Sequence, residues 1–346
     1  MDPSALIPEA IGISVPPVWP VVLSIITLSV HLLLMNAVFG GTVIVFVHSL
    51  SGGSAVSRSM SRRLPTLLAL AINAGVPPLL FLQAVYGQFS YVSSILMAVF
   101  WLAVIAALMI GYYGLYYHNF RYERLGVSGR RLVMTVVLCL IVYTGFMFSN
   151  KMTLMLRPEV WSGYFSDPDG YLLNLHDPVL IPRFMHFAVS ALAVGGLTVA
   201  FFGRRKGDND SVDTGMKWFR RSTLANVLMG VWFLMSLPKD VMLIFMGRNM
   251  AATVLFCAGL VLLLAMLHAA FTRNVTFAAV ATVLIVPVMA TMRHLVRQKY
   301  LSPYFSLDTA PVSGQWQPFL LFVISLAVGS LCVAYMLRLM SRAERS

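Results

Sequence analysis

The sequence predicts an all-α, polytopic membrane bundle of about nine transmembrane helices. Three observations predict it. Of the 346 residues, 59% are hydrophobic and only 11% charged, against roughly a quarter charged in a soluble domain. The charges gather in short clusters between apolar runs. Several of those runs exceed the roughly 20 residues that span a hydrocarbon core. Backbone groups in lipid must find their partners within the protein, so such runs are helices or segments buried among helices.

The spans fall near 18–49, 64–86, 91–117, 131–156, 182–203, 222–237, 249–271, 275–296 and 316–339. The first is longer than a membrane needs, so it tilts or protrudes. Pro77 and Pro78 predict a kink in the second. The chain shows no internal repeat, low-complexity stretch or soluble insert, so residues 1–346 read as one membrane domain. The first 17 residues carry Asp2 and Glu9 and no basic residue, unlike the basic start of a secretory signal. Cys139, Cys257 and Cys332 each lie inside an apolar span without motif spacing, which indicates small apolar packing rather than disulfides or a thiolate metal site.

A net charge of +12 raises the question of nucleic acid, but the basic residues flank the spans. They are therefore topology signals, and the contact they predict is with membrane lipid. Arg58, Arg62 and Arg63 follow the first span. Arg121, Arg124, Arg130 and Arg131 follow the third, and Arg204, Arg205, Lys206, Lys217, Arg220 and Arg221 the fifth. Arg273 joins the seventh and eighth, while Arg338, Arg342 and Arg345 follow the ninth. With nine spans all five clusters share one side. The positive-inside rule makes that side cytoplasmic and the N-terminus external, in a cell's inner (cytoplasmic) membrane. The external loop from Arg157 to Ile181 carries Glu159, Asp167, Asp169 and Asp177 with Trp161, Tyr164, Phe165 and Tyr171, a composition suited to the membrane interface or a partner.

Ionisable residues inside spans are the first candidates for function. The four glutamates (Glu9, Glu123, Glu159, Glu344) lie outside the spans, and the nine aspartates lie outside or at span ends. This disfavours a carboxylate proton relay or cation pathway. Histidine remains. His31 sits deep in the first span, His186 near the external start of the fifth and His294 near the external end of the eighth. Imidazole nitrogen and thioether sulfur are the usual axial ligands of electron-transfer haem. His186 and Met250, at the external start of the seventh span, match in depth. Arg183, Lys239, Arg248, Arg293 and Arg297 share that level, where haem propionates need cations. Other roles stay open on spacing alone. A span histidine also serves as an interhelical hydrogen-bonder, one of 21 methionines as packing, and a border arginine as a snorkelling anchor.

Around these residues the sequence resembles subunit I of the cytochrome bd quinol oxidases. LSVHLLLMNAVFGG resembles the family segment with a haem-ligating His and a Gly nine residues on, here His31 and Gly40. AINAGVPPLLFLQAVYGQFS resembles the second helix. FSNKMTLMLRPEVW and LHDPVLIPRFMHFAVSALAVGG resemble the end of helix four and the start of helix five. GRNM resembles the family's Arg-x-Met. The resemblance implies low-spin haem b between His186 and Met250. MRHLVRQKY resembles the segment in which a ligating Glu precedes Arg-Gln by three residues, here His294, Arg297 and Gln298.

The departures imply a changed activity. His294 replaces the ligating Glu. The acids of the family's second and third helices are absent from 75–88 and 91–117, and the quinol-binding loop shrinks to LPKDVMLIFMGRN. The expected protein is therefore a membrane electron-transfer subunit with two or more haems b, without haem d or oxygen reduction. His31, His186, Met250 and His294 are the iron ligands, and Arg183, Arg248 and Arg297 line the cofactor. A quinone is a further cofactor whose site the sequence does not name. The expected partners are a periplasmic redox protein of the c-type cytochrome class and other membrane subunits. A true quinol oxidase and a non-redox transporter or scaffold are the alternatives.

Overall fold

A computed structural model describes residues 2–10, 12–166 and 168–343; Asp167, Glu344, Arg345 and the side chain of Arg342 lie outside what is described. The chain is helical, with no strand among the described residues and one isolated bridge between Ile13 and Val312. The helices are α1 (Val18–Leu50), the short α2 (Ala55–Ser61), α3 (Leu64–Leu96), α4 (Ala98–Phe120), α5 (Val127–Met155) and α6 (Leu180–Lys206). They continue with α7 (Asn209–Ser236), the single turn α8 (Lys239–Met242), α9 (Met250–Phe271), α10 (Val275–Leu301) and α11 (Trp316–Ala343). Among the described residues 8 helices are long and apolar enough to cross a membrane, so this is a multi-pass membrane protein. The expected sixth span is the second half of α7. That helix falls short because Arg220 and Arg221 stand directly before its apolar part.

Side chains fix several helix ends. Asn249 accepts from the Ala252 N–H (3.0 Å) at the start of α9, and Asn274 accepts from the Phe277 N–H (3.0 Å) at the start of α10. Each satisfies a backbone donor that the helix itself leaves unpaired. Between α6 and α7, Gly207 takes φ 69°, a conformation that glycine adopts without strain. Asp208 then accepts from the Ser211 N–H (3.1 Å) and hydroxyl (2.6 Å). Those bonds from Ser211 hold the Asp208 carboxyl below its ordinary pKa.

The span boundaries differ from the expected ones in α3. The second span was expected to end near residue 86 and to kink at Pro77–Pro78. Instead α3 runs on to Leu96, and its one non-helical residue is Tyr86 (φ −128°, ψ 32°). Gly87, Gln88 and Ser90 lower the local hydropathy and read as a loop. Phe89 and Ser90 are nevertheless fully buried, and core packing carries the helix through them. At Tyr86 the ring packs against His294 and Phe305, so the break lies where the chain reaches towards α10.

α6 is the centre of the bundle, packed on α7 and α1. Contact with α1 is backbone to backbone. A Cβ at Gly40 would strike the Ala191 carbonyl and stand 2.9 Å from the Gly195 Cα, and a Cβ at Gly195 would strike Gly40. Small residues allow this approach, and lipid-embedded helices gain their attraction from such close packing. The N-terminal segment is pinned at the end opposite the basic clusters: Ile13 donates to the Pro311 carbonyl (2.8 Å) and accepts from the Ser313 N–H (2.9 Å).

The first four basic clusters share one end: Arg63 lies over Phe202, Arg204 donates to the Thr276 hydroxyl and Arg273 pairs with Asp213. Arg131 donates to the Ser49 (3.1 Å) and Leu50 (2.7 Å) carbonyls at the end of α1, and Arg58 donates to the Asn119 carbonyl (3.0 Å) at the end of α4. Arg58 and Arg130 both lie over the Tyr122 ring, at 4.5 and 4.7 Å. These arginines therefore tie loops together and satisfy helix-end carbonyls.

The crossing of α1 and α6 yields a stability prediction. Gly195→Val should destabilise the protein by about 1–3 kcal/mol or more through overpacking, seen as a lower Tm in detergent. Gly87→Ala, with nothing within 4 Å of its added Cβ, should melt like the parent. Equal melting of the Gly195→Val variant and the parent would refute the contact.

Candidate cofactor site

His31 lies on the α1 face that meets α3. Its Nδ1 is 2.9 Å from the Ala71 carbonyl, which makes Nδ1 the protonated donor and leaves Nε2 with its lone pair. The ring lies flat against Gly75, where a Cβ would stand 2.8 Å from Cε1 and 2.9 Å from Nδ1. Gly75 is thus the space that admits the imidazole. A carbonyl on one ring nitrogen and a free lone pair on the other is the usual arrangement of a metal-ligating histidine.

His186 lies near the start of α6 and faces α7. Its ring stacks on Phe233 (5.9 Å between centroids, 22°) and stands 3.3 Å from where a Gly230 Cβ would be. Nδ1 is sealed from solvent without a hydrogen bond, although the Asn226 backbone approaches it. Arg183, one turn earlier, lies over the same Phe233 ring at 5.7 Å. Met250 opens α9 and is 77% exposed, and Arg248 is exposed in the preceding turn. The methionines that pack in the apolar cluster around Phe233 are Met242 and Met292. The structure therefore places His186 inside the bundle and both Met250 and Arg248 on its surface.

His294 is on α10, with its ring 6.3 Å from the Tyr86 ring. Together with Arg297 it borders a small recess between α1, α3 and α10, with room for about one water, whose apolar walls are Val21, Phe81, Leu82 and Val85. His31 meets α3 at Ala71–Gly75, whereas this recess meets α3 at Phe81–Tyr86. At 1.5 Å per residue the two imidazoles differ in depth by roughly 13–16 Å. They do not face each other across one iron.

Three arginines converge between these helices. Arg183, Arg293 and Arg297 are within electrostatic range of one another, and His31 is within range of Arg293. Among the described residues none of the three side chains makes a salt bridge or hydrogen bond. Asp177 acts on Arg183 from a distance, but its oxygens are bonded to Asn174 (3.2 Å) and the Val179 N–H (2.7 Å), with Arg157 at 3.9 Å. Arg293 is exposed, and Arg183 and Arg297 are partly buried. Three guanidiniums at this range repel one another, and an anion from outside the chain would relieve that repulsion.

Among the described residues no three His, Cys, Asp or Glu side chains meet, so no site there holds a metal by protein side chains alone. Single imidazoles on separate helices, beside unpaired guanidiniums, suit iron held in a macrocycle that brings its own carboxylates. The imidazoles would suit haem iron, whereas Met250 stands on the surface.

Sequence reasoning passed over Lys151, an ionisable residue within a span. It is 1% exposed, its Nζ donates to the Ser90 hydroxyl (3.2 Å), and it lies over Trp101 at 4.3 Å. A charge in the run FSNKMTLM was the available signal. It also passed over Tyr86, whose hydroxyl is sealed without a partner. In the 157–181 loop, Trp161 is 2% exposed and donates to the Leu154 carbonyl (2.8 Å), so it anchors the loop and does not face a partner. Asp177 is buried, and Glu159 pairs with Arg157 at 2.6 Å. Phe165 and Tyr171, at 64% and 50%, remain on the surface beside the exposed Asp169. No protein-family model matches the chain, and no curated protein is significantly similar to it in sequence.

Proposed function

We propose that this chain is a b-type haem subunit of the inner membrane that carries electrons between the bilayer and a periplasmic redox protein of the c-type cytochrome class. One observation carries the reading. Imidazoles with free nitrogens stand near three guanidiniums that no carboxylate bridges among the described residues. Haem supplies one-electron exchange at iron and two propionates as counter-ions. His186 would hold one haem; Met250, the second ligand that the resemblance implies, is exposed and would have to turn inward to reach that iron. His31 and His294, at different depths, serve separate irons. Arg183, Arg293 and Arg297 hold propionates, and Arg248 lies at the rim.

The chain's own residues make the role electronic. α3 and α4 contain no Asp or Glu, so oxygen reduction, which consumes protons as well as electrons, has no carboxylate route there. The reading therefore includes haem b and excludes haem d. The N-terminus and the 157–181 loop face the periplasm, where Asp169, Phe165 and Tyr171 meet the electron partner. Acidic groups there speed encounter with a basic surface. Other membrane subunits pack on the lipid-facing helices.

The test is a reduced-minus-oxidised spectrum with haem extraction. Two or more haems b per chain are expected, with no far-red chlorin band and no cyanide-sensitive oxygen uptake. His186→Ala and His31→Ala should each remove one haem and spare the other. His294→Ala should remove a haem or convert its spectrum to high spin. A pure protein without a Soret band ends the reading, and unchanged stoichiometry in any of the three variants ends that ligand assignment.

Orientation is checked separately in a background lacking the native cysteines. Asp169→Cys should react with an impermeant thiol reagent in spheroplasts, and Arg62→Cys only after lysis. The opposite pattern would invert the topology.

A further inference from the structure

We propose that Lys217, Arg220 and Arg221, at the basic end of α7, bind the phosphate headgroup of an anionic phospholipid. The site does not depend on haem.

α7 crosses the bundle from end to end. It starts beside the basic end of α6, where Gly203 leaves room for Ser211. At its far end Leu237 packs with Val241, Phe245, Val179 before α6 and Val296 of α10. Its apolar part is nevertheless short. From Ser222 to Ser236 the rise is roughly 22 Å at 1.5 Å per residue, against roughly 30 Å of hydrocarbon. A span that falls short thins the bilayer or draws its flanking side chains to the interface. Either response sets the three cations at the level of the lipid phosphates.

One face of α7 is turned outward over most of its length. Lys217, Arg221, Leu224, Leu228, Val231 and Met235 follow at helical spacing, and all are exposed. Two cations thus head an apolar stripe, which matches the headgroup and one acyl chain of a single lipid. Arg220, on the adjoining flank, lies over the exposed Phe271 ring of α9 at 5.7 Å. Among the described residues none of the three cations makes a salt bridge or hydrogen bond. Asp213, one turn before Lys217, pairs with Arg273 instead (3.0 Å), and Asp210 lies two turns away. Elsewhere at this end the cations are engaged: Arg58 with Glu123 (3.2 Å), Arg131 with the carbonyls of α1, and Arg204 with Thr276.

The complement is a phosphate joined to hydrocarbon. In a zwitterionic lipid the phosphate carries its own ammonium. An anionic lipid has no such partner, and each basic residue near its surface strengthens binding about 5-fold.

The purified full chain in detergent is titrated with phosphatidylglycerol or with phosphatidylcholine of the same acyl chains, and bound lipid is counted by native mass spectrometry. Phosphatidylglycerol should bind roughly 20- to 30-fold more tightly, the effect of two cations. Inorganic phosphate should not displace it, because the acyl chain holds the lipid on Leu224 and Leu228. Lys217→Gln with Arg221→Gln should abolish the preference. Arg121→Gln with Arg124→Gln, an equal loss of charge after α4, should keep it. Equal affinity for the two lipids in the parent, an equal loss in both double variants, or displacement by inorganic phosphate overturns the proposal. If the variants do not fold, a photoreactive phosphatidylglycerol in nanodiscs decides on the parent chain. Adducts are expected on α7 between Lys217 and Leu228, and adducts confined to other helices overturn the site.

Discussion

The interior of this bundle is cationic without carboxylates to balance it, and that constraint orders the rest. Arg183, Arg293, Arg297 and Lys151 all lie inside helices that read as membrane spans. An unpaired charge in such a place costs several kcal/mol. The chain reduces that cost differently at the two kinds of position. Lys151 is enclosed, with a hydroxyl and the face of Trp101 in place of a counter-ion, as cation–π contact allows when water is excluded. Of the arginines, Arg183 lies over Phe233 and Arg297 over Tyr86, and Arg293 reaches the surface.

The placement of those cations depends on α6. Gly195 brings α6 against α1, and Gly196 brings it against Gly215 of α7, each at a distance that excludes a Cβ. A helix held on two sides by backbone contact has little freedom to rotate. Arg183 and His186, at its other end, are therefore aimed by packing that lies well away from them. His186 meets α7 at Gly230, and His31 meets α3 at Gly75. In both cases a ring replaces the side chain that glycine lacks, so imidazole position and helix packing are one feature.

Hydropathy made the spans legible, because lipid imposes length and apolarity on each helix separately. It failed where packing outweighs composition. Gly87, Gln88 and Ser90 looked like a loop but lie within α3, and the break fell at Tyr86 rather than at the prolines. Charge clustering placed the first four basic clusters at one end, where their contacts join neighbouring loops. For the site, sequence depth brought out Arg183, Arg293 and Arg297 as one level, and the structure gathers them. Depth along a helix carries no information about azimuth, however. Met250 and Arg248 share that level and still point outward, while Tyr86 turns inward. Trp161 showed the same ambiguity: an aromatic in a loop reads as an interface residue until its indole proves to bond Leu154.

The sign of the interior charge also bears on what kind of cofactor chemistry such a bundle favours. Net charge near a redox centre is one of the determinants of its potential. Unpaired guanidiniums stabilise an added electron, whereas carboxylates would stabilise an added proton. In the proposed reading, the two propionates of a single haem would offset two of the three guanidinium charges, and each further haem would bring a further pair. Such a site would favour an added electron, and α3 and α4 offer no acid to follow it with a proton. The acids that remain, such as Asp177 with Asn174 and Arg157, are spent on holding the loop and the start of α6. In the proposed reading, electron conduction without proton chemistry would follow from this same composition.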